Sequence, residues 1–481
     1  MKLNYEDKQM NKISNLPAHK ARNLIGQKKI SSTELVKSCI EQYEKHNSNV
    51  NAIVAFDQKD VLDQAKKCDE KVSKGDTLGL LHGLPVGIKD LQMVKNLRST
   101  YGSLLFKDHI PKHDDNIIKN IREEGGIVFC KTNTPEFGAG ANTKNRVYGA
   151  TGNPFQFDLT SAGSSGGSAA ALSLNMLSLA TGTDYGGSLR TPASFCGVTG
   201  FRPSPGMVPS TEGIILNPFS VAGPMGRDVT DAYLLLQGIV DINNSDIFSS
   251  LNSFSLPADL MPSDLSSIKM AFSTDLGCAP VDNEIKKVFL KKIEFIKSCF
   301  NYTNNDHPNF LNIHDCFEVI RGFNYVASHL EKVKNNKELL GPNVIDNVER
   351  GLKYSMEDVT WAHQEQTKIY NNFRKFFENY DVLICPAASV SPFPHEQLFV
   401  EEINNEKLPT YMRWLALSYA PTMAIPCAWA LPCGLDHKNL PFGIQLIAPA
   451  GNDAKLSEIA LAIEDALSNH EETKRAIPDI V

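Results

Sequence analysis

Lys89 closes a short apolar run, while Ser164, Ser165 and Ser188 lie in two glycine-flanked turns, G-S-S-G-G-S at 163–168 and G-G-S at 186–188. A serine hydroxyl is a weak nucleophile until a base removes its proton. Glycine lets a backbone bend sharply and approach a ligand, so that its N–H groups can face into a site. An alanine-rich stretch joins the two turns. Such proximity points to one active centre assembled from both turns, with its base elsewhere in the chain.

Four readings compete for the chemistry. A phosphate cradle at 163–168 fails because no G-K-[ST] follows and alanines stand where a phosphate would want a lysine. Gly163, Ser165 and Gly167 satisfy the G-x-S-x-G nucleophile elbow, with a helix expected after it. However, F-Q-F-D-L-T-S-A makes a poor buried strand before the turn, and none of seven downstream histidines stands out as the base. His109 and His113 beside Asp114 and Asp115 form a loose cluster that reads as solvated loop residues rather than metal ligands, and no H-E-x-x-H occurs. The fourth reading makes Lys89 the base, because desolvation at the end of a buried strand drives an ammonium towards its neutral, proton-accepting form. A structural ion pair with Asp90 or another carboxylate would explain Lys89 equally well.

The elements that must hold these groups alternate between helix and strand. Ser31 and Glu34 have capping-box spacing, and Leu35, Val36, Cys39, Ile40 and Tyr43 recur at helical intervals over 31–45. A polar helix is predicted at 58–74, a buried strand over 81–90, a helix at 114–124 and a strand at 127–131. Residues 132–143 read as a loop, and 168–180 as a buried helix leading from the first turn to the second. A Ser/Asn/Asp-rich linker is expected at about 240–267, and then a strand at 268–273. Asp282 caps an amphipathic helix carrying Ile285, Val288, Phe289, Ile296 and Cys299. Residues 315–380 read as mostly helical, 381–386 and 442–448 as strands, and 454–468 as a final helix. This alternation indicates an α/β sheet.

The bulk composition suits such a body. The chain has 481 residues, 42% apolar and 21% charged, with a formal net charge of −7. That balance carries no basic footprint for nucleic acid. Ten scattered cysteines without a C-x-x-C pair favour reduced thiols and a cytoplasmic setting. The opening M-K-L-N-Y-E-D-K-Q-M lacks an apolar signal region, and no run of about eighteen apolar residues suggests a membrane span.

Taken together, G-L-P-V-G-I-K-D, K-T-N-T-P-E-F-G-A-G-A-N-T, N-P-F, A-G-S-S-G-G-S-A-A-A, G-T-D-Y-G-G-S-L-R-T-P-A-S-F-C-G-V-T-G-F-R-P and G-P-M-G-R resemble the amidase signature family in order and spacing. The resemblance is strongest over about 80–230 and extends more weakly towards both ends through the helix at 31–45, D-V-L-I-C-P-A-A and L-P-F-G-I-Q-L-I-A. It implies a single α/β domain over 1–481, a mixed β-sheet core sandwiched by α-helices, with helical decoration at about 240–380 that shapes the pocket. It also implies a Ser–cisSer–Lys triad: Lys89 as base, Ser164 as the bridging serine held by a cis peptide bond, and Ser188 as nucleophile. The oxyanion hole would use the N–H groups of Tyr185, Gly186, Gly187 and Ser188. Gly138 falls where some relatives contact substrate. Ser165 could assist the triad, and with Ser168 would hydrogen-bond the loop and the start of its helix. Asp184 and Arg190 would lock the second turn, and Cys196 would pack in the core.

The implied function is hydrolysis of a small-molecule carboxamide through an acyl-enzyme, releasing ammonia or an amine. No metal or organic cofactor is needed, no nucleic acid or membrane partner is expected, and a homodimer is admitted. One rival is the A subunit of an aminoacyl-tRNA amidotransferase, which takes ammonia from glutamine with the same triad. That subunit typically carries a D-E-F-A-M-G-S-S-like stretch where this chain reads N-T-P-E-F-G-A-G-A-N-T. A second rival is a scaffold that binds without turnover. This chain also departs from the family's P-G-G-S-S-G-G-S by placing Ser161 and Ala162 before the first turn, where the Ala162 methyl is expected to restrict the backbone. Tyr185 is larger than its usual counterpart, and 427–434 reads as a lengthened connection.

Overall fold

The computed structural model describes residues 13–210, 213–214, 216–250 and 255–480. The N-terminal decapeptide read above, and residues 251–254 of the expected linker, lie outside them.

Eleven strands form one mixed sheet. In chain order they are β1 (Ile53–Phe56), β2 (Pro85–Lys89), β3 (Ile127–Thr132), β4 (Leu179–Asp184), β5 (Thr199–Arg202), β6 (Val221–Gly226), β7 (Lys269–Phe272), β8 (Tyr302–Asn305), β9 (Val382–Pro386), β10 (Cys427–Leu435) and β11 (Pro441–Ala448). Their order across the sheet is β1-β3-β2-β4-β6-β5-β10-β11-β9-β7-β8. Every residue of β2, β3, β9 and β11 is buried, the pattern of strands covered on both faces. β2 runs parallel to both β3 and β4, so Lys89 and Asp184 emerge at the same carboxyl edge, where open α/β sheets usually bind ligands.

The helices follow from local signals. Ser31 caps Ser32–Val50 in a complete capping box with Glu34, as the spacing predicts. Asp57 caps Gln58–Lys74, which ends on Gly75 in the left-handed region. The helix after the first serine turn, Gly166–Ser173, is buried on every face, so it has no amphipathic stripe. A Cβ on Gly167 would stand 2.3 Å from the Asn133 backbone nitrogen, so this helix packs closer than any larger side chain would allow.

Several boundaries differ from expectation. The helix predicted at 168–180 stops at Ser173; Asn175 turns left-handed (φ 55°), and β4 begins at Leu179. The apolar run through 172–180 hid this switch, because a buried strand and a buried helix look alike in sequence. Residues 156–160, expected to make a poor buried strand, form one mostly unburied arm of a two-stranded ribbon with Gly152–Asn153, in keeping with that expectation. The expected linker contains the short helix Ile247–Ser250 and a 3-10 turn at Leu265–Ser267. The region 240–380 is not only decoration, for it contributes β7 and β8 to the sheet edge. Finally, 427–434 is not a connection but most of β10, whose register shifts between Pro432 and Leu435, as a proline in a ladder requires.

Among the described residues, no helix is long and apolar enough to cross a membrane.

Candidate active site

The two serine turns meet at one cavity of about 180 Å³, lined by Gly138, Ser164, Tyr185 and Ser188 among others, with Lys89 at the end of β2 behind Ser164. The peptide bond between Gly163 and Ser164 is cis. Lys89 Nζ lies 2.6 Å from Ser164 Oγ, 2.8 Å from Ser165 Oγ and 2.8 Å from Thr183 Oγ1. Lys89 is fully buried, and among the described residues it forms no ion pair. Burial holds its ammonium well below the ordinary lysine value, with Asp184 acting in the opposite direction.

The ion-pair explanation of Lys89 therefore fails, because Asp90 is committed elsewhere. Its carboxylate accepts Thr100 Oγ1–H at 2.6 Å and stands 3.5 Å from Lys131 Nζ. Lys131 comes from β3, beside β2, and opens the K-T-N-T-P-E-F-G-A-G-A-N-T motif, although no role was expected of it.

The second turn is tied down by Asp184. Its Oδ1 accepts Gly187 N–H at 2.9 Å and Arg190 Nη2–H at 3.0 Å, while Oδ2 accepts Leu189 N–H and Arg190 Nε–H, both at 3.1 Å. Arg202 adds a 3.3 Å contact to Oδ1. Burial alone would push the Asp184 carboxyl up, but the Arg190 and Arg202 guanidiniums and these hydrogen bonds hold it well below the usual carboxylate range.

Gly187 N–H thus points at Asp184, so one of the four N–H groups expected to face a substrate is already occupied. Those of Tyr185, Gly186 and Ser188 donate to no protein acceptor among the described residues. Gly187 has φ +110°, and a Cβ there would lie 2.6 Å from Ser418, whereas Gly186 would keep 3.5 Å from its nearest neighbour. Of these two, Gly187 is the one that needs to be glycine for steric reasons.

Ser165 also receives Thr183 N–H at 3.3 Å, and Ser168 Oγ donates to the Thr181 carbonyl at 2.8 Å, so both fix the loop and its helix. Cys196 is buried with its thiol pushed up by desolvation, as a packing residue should be. A Cβ on Gly138 would stand 3.4 Å from Ser164 Oγ, so this turn forms part of the cavity floor. Ala162 sits at φ 58°, and its carbonyl accepts Thr143 N–H at 3.0 Å and Thr143 Oγ1–H at 2.7 Å. The chain thus keeps a left-handed turn without the glycine that such a conformation favours.

The looser constellations do not converge. Asp114 accepts Lys95 N–H and pairs with Arg122 at 3.0 Å, while Asp115 accepts Met93 N–H at 2.7 Å. Among the described residues, the one group that could gather around a metal ion is His19 with Asp228 and Asp231, and there Asp231 caps Ala18 N–H and His19 N–H. No histidine hydrogen-bonds Ser164, Ser165 or Ser188 among the described residues, which leaves the elbow without its base. A larger groove of about 970 Å³, near Phe155, Lys292 and Arg475, contains none of the expected site residues.

A family model described as Amidase matches residues 34–456. The chain belongs to the amidase signature family. Among curated proteins, the A subunit of the glutamyl-tRNA(Gln) amidotransferase of Clostridium botulinum (strain Eklund 17B / Type B) is 29% identical, covering 95% of this chain and 99% of that protein. An acylamidase of Rhodococcus erythropolis is 28% identical over 90% of this chain and 92% of its own length. Among solved structures, a bacterial aryl acylamidase of the amidase signature family superposes with a TM-score of 0.86 at 23% identity, covering 94% of this chain and 96% of that one. At that identity the likeness speaks for the fold, and this amidase signature chain shares it along nearly its whole length.

The helical region at 240–380, expected to shape the pocket, supplies one wall of the cavity, but the residues that form it were not foreseen from the sequence. This wall is built by the helix Ile313–Asn336, which presents Arg321, Asn324, Tyr325, Ser328 and His329. These positions follow i, i+3, i+4, i+7, i+8 spacing, so one helical face is polar yet turned inward. That spacing was the available signal.

Proposed function

We propose that this amidase signature protein hydrolyses carboxamides through an acyl-enzyme on Ser188, and that residues 1–481 form a single amidase domain. The contact that carries the reading is Lys89 Nζ at 2.6 Å from Ser164 Oγ, in a site where the lysine forms no ion pair with a carboxylate among the described residues. A neutral amine has two N–H donors and one lone pair, so among three hydroxyls one must donate to it. Ser164 makes the shortest contact and borders the cavity that also contains Ser188.

In this mechanism Ser188 Oγ attacks the amide carbon. Its proton passes to Ser164, and the Ser164 proton passes to Lys89 Nζ. The negative charge that develops on the carbonyl oxygen faces the N–H groups of Tyr185, Gly186 and Ser188. Collapse breaks the C–N bond, and the proton returns through Ser164 to the departing amine. Water then attacks the ester, activated by the same relay, and frees the acid and Ser188. The ten cysteines are all free and eight are buried, which supports a reducing, cytoplasmic setting.

A panel of aliphatic, aryl and amino-acid amides with mass-spectrometric detection tests the reading. Release of acid and amine by wild type, lost in Ser188→Ala, supports it. No turnover of any amide, by folded protein that also resists an active-site probe, would return the chain to a binding scaffold.

The second reading is the amidotransferase A subunit, favoured by the end-to-end match to such a protein. It expects ammonia from glutamine to depend on a co-purifying partner. Hydrolysis of simple amides by the chain alone counts against it.

A further inference from the structure

Arg321 is 5% exposed, lines the same cavity as Ser188, and has no carboxylate partner among the described residues. Its guanidinium has five N–H donors. Nε donates to Asn347 Oδ1 at 2.9 Å, and Nη2 donates to Tyr325 OH at 3.0 Å and Tyr411 OH at 2.9 Å. The two N–H groups of Nη1 have no protein acceptor among the described residues. The rings of Tyr325, Tyr185, Tyr411 and Phe317 surround the cation at 4.5 to 6.0 Å from their centroids.

Those π faces attract a cation but do not neutralise it, and a buried charge without a counter-ion is costly. The nearest acidic residue on the helix, Glu318, is spent on Arg413 at 3.1 Å. Three fixed donors leave the guanidinium no freedom to turn towards solvent. Asn324, held at 3.0 Å from Tyr185 OH, and Ser328 place further neutral polar groups on the same wall. The N–H groups left on Nη1 can donate a charge-assisted hydrogen bond to one small anion, and a cavity of about 180 Å³ admits only a short chain between that anion and the serine.

We infer that Arg321 is a specificity-determining residue that binds a carboxylate of the substrate, so that the amides turned over are small and carry one negative charge. This inference rests on the amide-hydrolase reading for its chemistry but not for its binding step. It also accounts for Tyr185, whose ring and hydroxyl hold the guanidinium wall in place.

The test compares matched amides on wild type: malonamate, succinamate and glutaramate, each against a neutral isostere such as 4-methylpentanamide for succinamate. N-acetylglycine carries the carboxylate in the leaving half and tells the two sides of the scissile bond apart. At least one anionic amide is expected to exceed its isostere in kcat/KM by about tenfold or more, because a site built for a charge rejects the analogue that lacks it. Arg321→Met should collapse that ratio towards one, and Arg321→Lys should restore part of it. A separate arm measures malonate, succinate and glutarate binding to Ser188→Ala by calorimetry. Binding that disappears in the Ser188→Ala, Arg321→Met double variant supports the inference even if no amide is hydrolysed, which would instead sink the hydrolase reading. Hydrolysis of neutral amides at equal or greater kcat/KM, with no dicarboxylate binding, overturns the inference and leaves the hydrolase reading standing. The wild-type ratios decide the matter even if the Arg321 variants fold poorly.

Discussion

Lys89 Nζ lies 2.6 Å from Ser164 Oγ, on a lysine that is fully buried and has no carboxylate within ion-pair distance among the described residues. Under the proposed mechanism this lysine is the base, and the fold bears the cost of burying it.

That cost has a sign that can be checked. The folded-state value of Lys89 is lowered by burial, so between it and the ordinary lysine value the unfolded chain binds one more proton than the native state. Wild-type stability therefore rises with pH through that window. Lys89→Met should have a higher Tm than wild type at pH 7, with the gap closing as the pH approaches 10. The same variant should lose about 10²–10⁴-fold in kcat on any amide that wild type hydrolyses. Wild-type kcat/KM should rise with pH as Lys89 deprotonates. A less stable Lys89→Met, or one with normal turnover, would show that Lys89 is a structural residue.

Asp184 presents the opposite case. Its carboxylate is held low by Arg190 and Arg202, so its contribution is fully present above the ordinary carboxylate range and lost as pH falls through the folded-state value. Asp184→Asn should destabilise the protein by about 3–5 kcal/mol at pH 7, because it leaves two buried guanidiniums without their anion. Denaturant unfolding from pH 7 to pH 3 reads this directly. The gap should stay constant down to about pH 4 and shrink below it. A loss under about 1 kcal/mol would mean that the turn is held by something else.

The two glycines before Ser188 should behave differently. Gly187→Ala combines a positive φ with a Cβ 2.6 Å from Ser418 and should cost more than about 1–2 kcal/mol, while Gly186→Ala should stay within about 0.5 kcal/mol of wild type. Thermal unfolding of both variants is the check. Equal losses would mean that the turn rearranges around either methyl group.

The serine turns and Lys89 were legible in the sequence because their meaning lies in short motifs and in the end of one buried strand. The capping box at Ser31 and the strand over 81–90, observed at Pro85–Lys89, were local in the same sense. What escaped was set by direction and distance. Which way Gly187 N–H points depends on Asp184, three residues earlier; that spacing was visible, but the competition between a side chain and a substrate for the donor was not. The boundary at Asn175 was lost within a run that is apolar on both sides of it. β10 was mistaken for a connection because Pro432 and Gly434 suggest a turn, yet they sit where the strand's register shifts.

The Arg321 wall escaped for a different reason. It lies more than a hundred residues after Ser188 and meets it only through packing. The sequence placed it in a mostly helical region expected to shape the pocket, without saying which residues would face the serines. Burial decides that, and burial becomes visible only once the helix is docked.

The central claim, that Ser188 is the nucleophile of a Lys89–Ser164 relay, is tested most directly by labelling folded protein with a fluorophosphonate and mapping the adduct by mass spectrometry. The expected result is one adduct on Ser188 in wild type, still formed in Ser165→Ala though more slowly, and absent from Lys89→Met and Ser164→Ala at neutral pH. An adduct on Ser165, or labelling of Ser188 at the wild-type rate without Lys89, would contradict it.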